Sequence, residues 1–140
     1  MELYLSIGSN LGDRKALILE AISALDAALG AHLRLSSFFE SKSWGFMGND
    51  FLNVAVCYET SIPALYILHL CKDIEQRMGR EISAPRYDAE GKRIYSNRPI
   101  DIDIILYGNL RIDTPELTIP HPRMHERDFV MVPLSEIKSQ

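Results

Sequence analysis

The sequence predicts an α+β fold, a ferredoxin-like sandwich in which a four-stranded, mainly antiparallel sheet carries two main helices on one face. Two observations support this. β-Prone runs and amphipathic helical stretches follow the order strand, helix, strand, strand, helix, strand, a split βαβ arrangement. The 140 residues contain no internal repeat, low-complexity tract or interdomain linker, so residues 1–140 read as one domain.

Leu3–Ile7 is short, apolar and β-prone, and Gly8-Ser9-Asn10 reads as the turn that ends it. Asp13 suits a helix N-cap. Leu17, Ile18, Ala21, Ile22, Leu25 and Leu29 then recur at helical spacing until Gly30 stops the helix. Leu33–Phe39 has strand character, residues 40–50 are loop, and Phe51–Tyr58 is the third strand. Ser61 is placed to cap a second helix with Pro63 in its first turn; Leu68, Cys71, Ile74 and Met78 form its inner stripe, and Gly79 ends it. Residues 80–98 lack periodicity and read as a long charged loop. Ile100–Tyr107 alternates strongly as a strand, Gly108-Asn109 turns the chain, and Leu110–Ile112 is placed to pair back. The tail from Pro115 holds three further prolines and is expected to form one or two helical turns around Arg123–Phe129.

A net charge of -4 gives no field suited to nucleic acid or an anionic membrane. Cys57 and Cys71 lack metal or disulfide spacing and read as buried apolar groups in a reducing compartment. The N-terminus is unlike a signal peptide, and no apolar run approaches the ~20 residues of a membrane helix. A cytoplasmic protein is expected.

The segment Arg98-Pro-Ile-Asp-Ile-Asp-Ile-Ile-Leu106 is the most informative. On a strand, Ile100, Ile102 and Ile104 face the core, while Asp101 and Asp103 share the other face, their α-carbons about 6.5–7 Å apart. Paired carboxylates on a rigid strand suit magnesium, which fills its remaining sites with water and phosphate oxygens. Taken alone, the pair is equally compatible with a wet strand face. The preceding loop tips the balance: Arg80, Arg86, Lys92, Arg93 and Arg98 outnumber Glu81, Asp88 and Glu90 in an otherwise acidic chain, and guanidinium forks suit a polyphosphate.

His121 and His125 are four apart, but Pro122 between them and the missing second-position Glu argue against a zinc helix. A basic turn in which His121, Arg123 and Arg127 touch phosphate or ribose fits better, with ordinary surface charge as the alternative. Trp44, Phe46 and Phe51 can wall a slot for a flat heterocycle or cap the core. Asn53 shares a face with Phe51 and can read a ring edge as donor and acceptor. Glu75 reads as a solvated helix residue. Gly8–Gly12 lacks the phosphate-loop lysine and the dinucleotide glycine pattern, so it reads as a structural turn.

Taken together, Ile7-Gly-Ser-Asn-Leu-Gly12, Phe51-Leu-Asn53, Glu75–Arg80, Arg98-Pro-Ile-Asp-Ile-Asp103, Pro120-His121 and Arg127-Asp-Phe129 resemble the hydroxymethyldihydropterin pyrophosphokinases, in order and spacing, over essentially the whole chain. The R-x-x-D-x-D-I and P-H-x-x-M-x-x-R-x-F blocks are the specific ones. The resemblance implies ATP as co-substrate, two Mg2+ ions on Asp101 and Asp103, and attack of the pterin hydroxymethyl oxygen on the β-phosphorus, in folate biosynthesis. It places Ser41, Trp44, Phe51, Asn53, Tyr95 and Phe129 around the pterin, with Tyr95 and Phe129 sandwiching the ring. It places Glu75, Arg80, Arg98, His121 and Arg127 on the nucleotide, with Arg80 and Arg98 also acting in catalysis beside the aspartates. Tyr95 stands where many members carry tryptophan. The expected partners are therefore small molecules, ATP and 6-hydroxymethyl-7,8-dihydropterin, acting on a monomer without nucleic acid or membrane. A ligand-binding regulatory module on the same fold, or a two-metal nucleotidyl transferase, is the rival reading; magnesium dependence separates the first, and net acidity opposes the second.

Overall fold

The computed structural model describes residues 1–42, 50–79, 86–87, 93–94 and 99–138, with side chains described outside 86–87 and 93–94. In chain order the elements are β1 (Glu2–Ser9), α1 (Arg14–Leu29), β2 (Arg34–Leu35), β3 (Phe39–Ser41), β4 (Phe51–Glu59), α2 (Ala64–Arg77), β5 (Arg86–Tyr87), β6 (Arg93–Ile94), β7 (Asp101–Tyr107), β8 (Ile112–Asp113) and β9 (Thr118–Ile119). A 3-10 turn (Met124–Glu126) and α3 (Asp128–Ile137) follow. No helix among the described residues is long and apolar enough to cross a membrane.

The architecture is α+β around an antiparallel sheet ordered β2-β4-β1-β7, with β3 also pairing β4. Among the described residues the sheet thus has five strands rather than the four expected. The expected strand over Leu33–Phe39 is split: β2 lies against Val56 and Cys57, β3 against Phe51–Asn53. Between them the Ser36 hydroxyl accepts the Ala55 N–H at 2.8 Å and donates to the Ser37 carbonyl. A side chain does there what a regular ladder does elsewhere, and the strand is interrupted.

On one face, α1 and α2 bury Ile18, Leu25, Ile67 and Ile74 against Leu3, Leu5, Ile7, Val54, Val56, Ile102 and Ile104. Asp13 caps α1 through Ala16 N–H at 3.2 Å, and Gly30 ends it at φ 91°, both as expected. Helix α2 starts later than expected: Pro63 is its N-cap rather than a first-turn residue, and no side chain among the described residues caps it.

The other face departs most from expectation. The tail forms a full ten-residue helix, α3, whose Val130, Leu134 and Ile137 pack on Tyr4, Ala55, Cys57 and Ile105. Pro133 inside it removes one backbone donor, a feature that usually breaks a helix at a cost of about 3 kcal/mol. Burial of the apolar side of α3 offsets that cost. With both faces covered, β1 and β4 are buried along almost their whole length.

Three smaller differences concern the ends of elements. Strand β1 runs on through Gly8 and Ser9, because both still pair with β4. Strand β8 pairs with β9, not back onto β7. Within the expected loop 80–98, β5 and β6 form a two-stranded ribbon.

Candidate active site

Strand β7 is an edge of the sheet, paired on one side with β1. Ile100, Ile102 and Ile104 enter the α1/α2 core, so Asp101 and Asp103 lie on the α3 face, half-buried. On the outer side of β7, the Glu75 carboxylate of α2 accepts the Ile102 N–H at 2.7 Å, and the His121 N–H donates to the Ile105 carbonyl at 2.9 Å. Glu75 is only 6% exposed, so it is an anchor for the strand segment between the two aspartates and not a solvated helix residue.

This edge borders an open cleft of about 420 Å³. Lys72 and Glu75 come from α2, Asp101 and Asp103 from β7, and His121 and Arg127 from the segment leading into α3. Lys72 was not singled out by sequence; its position one turn before Glu75 is the signal that finds it.

Burial lowers the His121 pKa, with Arg127 adding to the effect and Asp101 opposing it. Its ring is therefore neutral at pH 7. Nδ1 accepts the Arg123 N–H at 3.3 Å, an assignment that puts the proton on Nε2. Arg127 lies over the Phe129 ring, 5.6 Å from its centre, a cation–π contact. His121 and His125 do not share a helix, and among the described residues no cluster of three or more His, Cys, Asp or Glu could hold a metal ion. A donor set of two carboxylates fits magnesium, which keeps sites for phosphate and water; it does not fit a closed zinc site. Cys71, behind the cleft, is kept a neutral thiol by burial first and then by the charges of Glu75 and Asp103, which makes it a poor nucleophile.

Register places a second group of residues on the same face. Gly8 of β1 is opposite Asn53 of β4 on one side and Asp101 of β7 on the other; Ser6 likewise stands between Ala55 and Asp103. With adjacent strands about 4.8 Å apart, Asn53 and Asp101 are roughly 10 Å apart across a floor of small residues. Asn53 is 2% exposed. Its Nδ2 donates to the Phe39 carbonyl at 3.1 Å and to the Ser41 hydroxyl at 2.8 Å. Ser41 pairs with Phe51. A methyl group on Gly8 would sit 2.9 Å from the Asn53 Oδ1, so Gly8 is there for clearance. The turn reading of Gly8-Ser9-Asn10 missed this, because close approach is a property of the neighbouring strand.

Ser41, Phe51 and Asn53 are thus together at one end of the floor, and Asp101, Asp103, Glu75, His121 and Arg127 at the other. Phe129 stands at the start of α3, its ring partly buried against the core on this face. Trp44, Phe46, Arg80, Tyr95 and Arg98 lie outside the described residues, as does Lys92, and of Arg86 and Arg93 only the backbone is described.

Residues 4–139 match the model of one protein family, 7,8-dihydro-6-hydroxymethylpterin-pyrophosphokinase. Among curated relatives, a protein of Porphyromonas gingivalis named 2-amino-4-hydroxy-6-hydroxymethyldihydropteridine pyrophosphokinase is 41% identical over 136 residues, covering 96% of this chain and 88% of the relative. Proteins of the same name from Aquifex aeolicus and Bacillus subtilis are 40% and 34% identical, covering 96% and 98% of this chain and 79% and 78% of their own lengths.

Proposed function

The chain belongs to the 7,8-dihydro-6-hydroxymethylpterin-pyrophosphokinase family, and from that membership we propose how its site performs the reaction. The activity is transfer of a pyrophosphoryl group to the hydroxymethyl group of a dihydropterin in folate biosynthesis. The finer reading is that ATP, bound with magnesium, is the donor and that AMP leaves.

In this reading Asp101 and Asp103 hold magnesium, which when bound supplies positive charge against the triphosphate oxygens. Glu75 holds β7 by its Ile102 N–H, so the two carboxylates keep their spacing. His121 offers its Nε2–H, and Arg127 its guanidinium, to phosphate oxygens on the far wall of the cleft; Arg80 and Arg98 are assigned the same task. Asn53 and Ser41 read the edge of the pterin, and Phe51, Phe129, Trp44 and Tyr95 supply flat apolar surface. The hydroxymethyl oxygen bonds to the β-phosphorus and gives up its proton to solvent, the bond from that phosphorus to the α–β bridging oxygen breaks, and the bridging oxygen leaves with AMP. Such transfers depend on positioning and charge neutralisation more than on a protein base.

The observation that carries this reading is the register: Asn53 and Asp101 flank Gly8 on one face, so a ring read by Asn53 points its substituent toward the aspartates. The reading also takes residues 1–140 as one monomeric, cytoplasmic domain with small-molecule partners only. It takes the fold as ferredoxin-like, with β2 and β3 counted as one interrupted strand.

The test is AMP release from ATP with 6-hydroxymethyl-7,8-dihydropterin, with and without magnesium, in the native protein and in Asp103→Ala. AMP formed only when pterin and metal are both present, and lost in a folded Asp103→Ala variant, is expected. ADP in place of AMP, or an active Asp103→Ala, refutes the mechanism.

A further inference from the structure

Away from the cleft, Arg14 opens α1 and reaches the other end of the floor. Its Nη1 donates to the Asp50 carbonyl at 3.0 Å, and its Nη2 to the Glu40 carboxylate at 2.8 Å. Asp50 immediately precedes β4, and Glu40 is the middle residue of β3. One guanidinium therefore grips both strands at the end where Ser41 pairs with Phe51.

We propose that Arg14 is a positioning residue for the dihydropterin, holding the β3–β4 edge in the register that presents Ser41, Phe51 and Asn53 to the ring. The proposal rests on the reading of those three residues as the pterin side of the site. Strand β3 is three residues long and lies at the sheet edge, so its own ladder holds it weakly. Packing against α3 and the Asn53 amide, the group assigned to the ring, are further described ties. When that amide turns toward substrate, Arg14 still links β3 to the start of β4 by side-chain hydrogen bonds, beside the short ladder and the packing of α3 on β3. The planar fork suits two acceptors on different strands; a lysine ammonium on a flexible stem does not.

The Arg14–Glu40 pair is near the surface, with 30% and 65% of the two side chains exposed, so it adds little to global stability. Arg14 is also remote from the cleft, since β4 and β1 lie between β3 and the aspartates. Its loss should therefore be felt by the pterin and not by ATP.

Steady-state kinetics with each substrate varied, together with thermal melts, test this. Arg14→Ala should raise the pterin KM about tenfold while the ATP KM stays within about twofold, as expected for misplacement of one binding wall. Arg14→Lys should fail to restore it. Glu40→Gln should move the pterin KM the same way by less, and it carries the test if Arg14→Ala does not fold. An unchanged pterin KM, or a rise in step with the ATP KM, overturns the proposal. Asn53→Ala separates the two levels: if it raises the pterin KM while Arg14→Ala is silent, only the role of Arg14 fails. If Asn53→Ala is itself silent, the pterin-side reading fails.

Discussion

Replacing Gly8 by alanine puts one carbon into the narrowest point of the floor. The new methyl would lie 2.9 Å from the Asn53 Oδ1, 3.5 Å from the Phe51 ring and 3.7 Å from the Leu52 carbonyl. Only the first contact is prohibitive; relief to an ordinary 3.4 Å requires Asn53 to retreat by 0.5 Å. Asn53 has little room, being buried and tied through Nδ2 to Phe39 and Ser41. The variant must either weaken those bonds or spread β1 from β4, an overpacking cost of about 1–3 kcal/mol. A fall in melting temperature of about 3–10 °C follows for a chain of this size. Urea unfolding of Gly8→Ala, Asn53→Ala and the double variant measures it as a cycle, because contacting residues give non-additive costs. Most of the Gly8→Ala cost should vanish in the Asn53→Ala background, where the obstructing oxygen is gone. Kinetics should show a raised pterin KM in the single variant. An equal stability cost in both backgrounds, or wild-type stability and KM for Gly8→Ala, would rule out a clash with the Asn53 Oδ1.

Two further outcomes follow from buried polar groups. Burial, reinforced by Arg127, holds the folded-state pKa of His121 below its ordinary 6.5, so the unfolded chain binds that proton more readily. Stability from this group is complete above pH 6.5 and declines as pH falls toward the folded-state value; urea midpoints of the metal-free protein between pH 8 and pH 5 should fall less steeply in His121→Gln, and identical slopes would contradict the argument. The buried Tyr58 hydroxyl donates to Asp26 at 2.6 Å, and Asp26 also pairs with His32 at 3.0 Å. Tyr58→Phe should cost about 0.5–1.5 kcal/mol in urea unfolding, the range for a typical intramolecular hydrogen bond, and an unchanged midpoint would refute the assignment.

The α1/α2 side of the sheet was legible because each residue there carries its own signal. Leu5, Ile7, Ile102 and Ile104 alternate on strands, Ile18 and Leu25 recur at helical spacing, and Asp13 and Gly30 mark the ends of α1. The α3 side was not. Pro133 argues against a helix locally, and only burial against Ala55, Cys57 and Ile105 outweighs that argument. Ser36 likewise looks like any strand serine, yet its bond to the Ala55 N–H interrupts the edge strand.

Sequence alone determined that Asp101 and Asp103 share a face opposite an isoleucine row, because a strand's period is local geometry that every residue obeys. Side-chain chemistry also put Phe51, Asn53, His121 and Arg127 among the candidates, and the resemblance to a family to which the chain belongs added Ser41. What lies across from what is set by how the strands and helices meet. That Gly8 stands between Asn53 and Asp101, that Glu75 is spent on the Ile102 N–H, that Lys72 joins the cleft and that Arg14 spans β3 and β4 are all matters of register and packing. These pairings join residues distant in the chain, so their energies depend on how strands and helices meet and leave no periodic trace in the sequence.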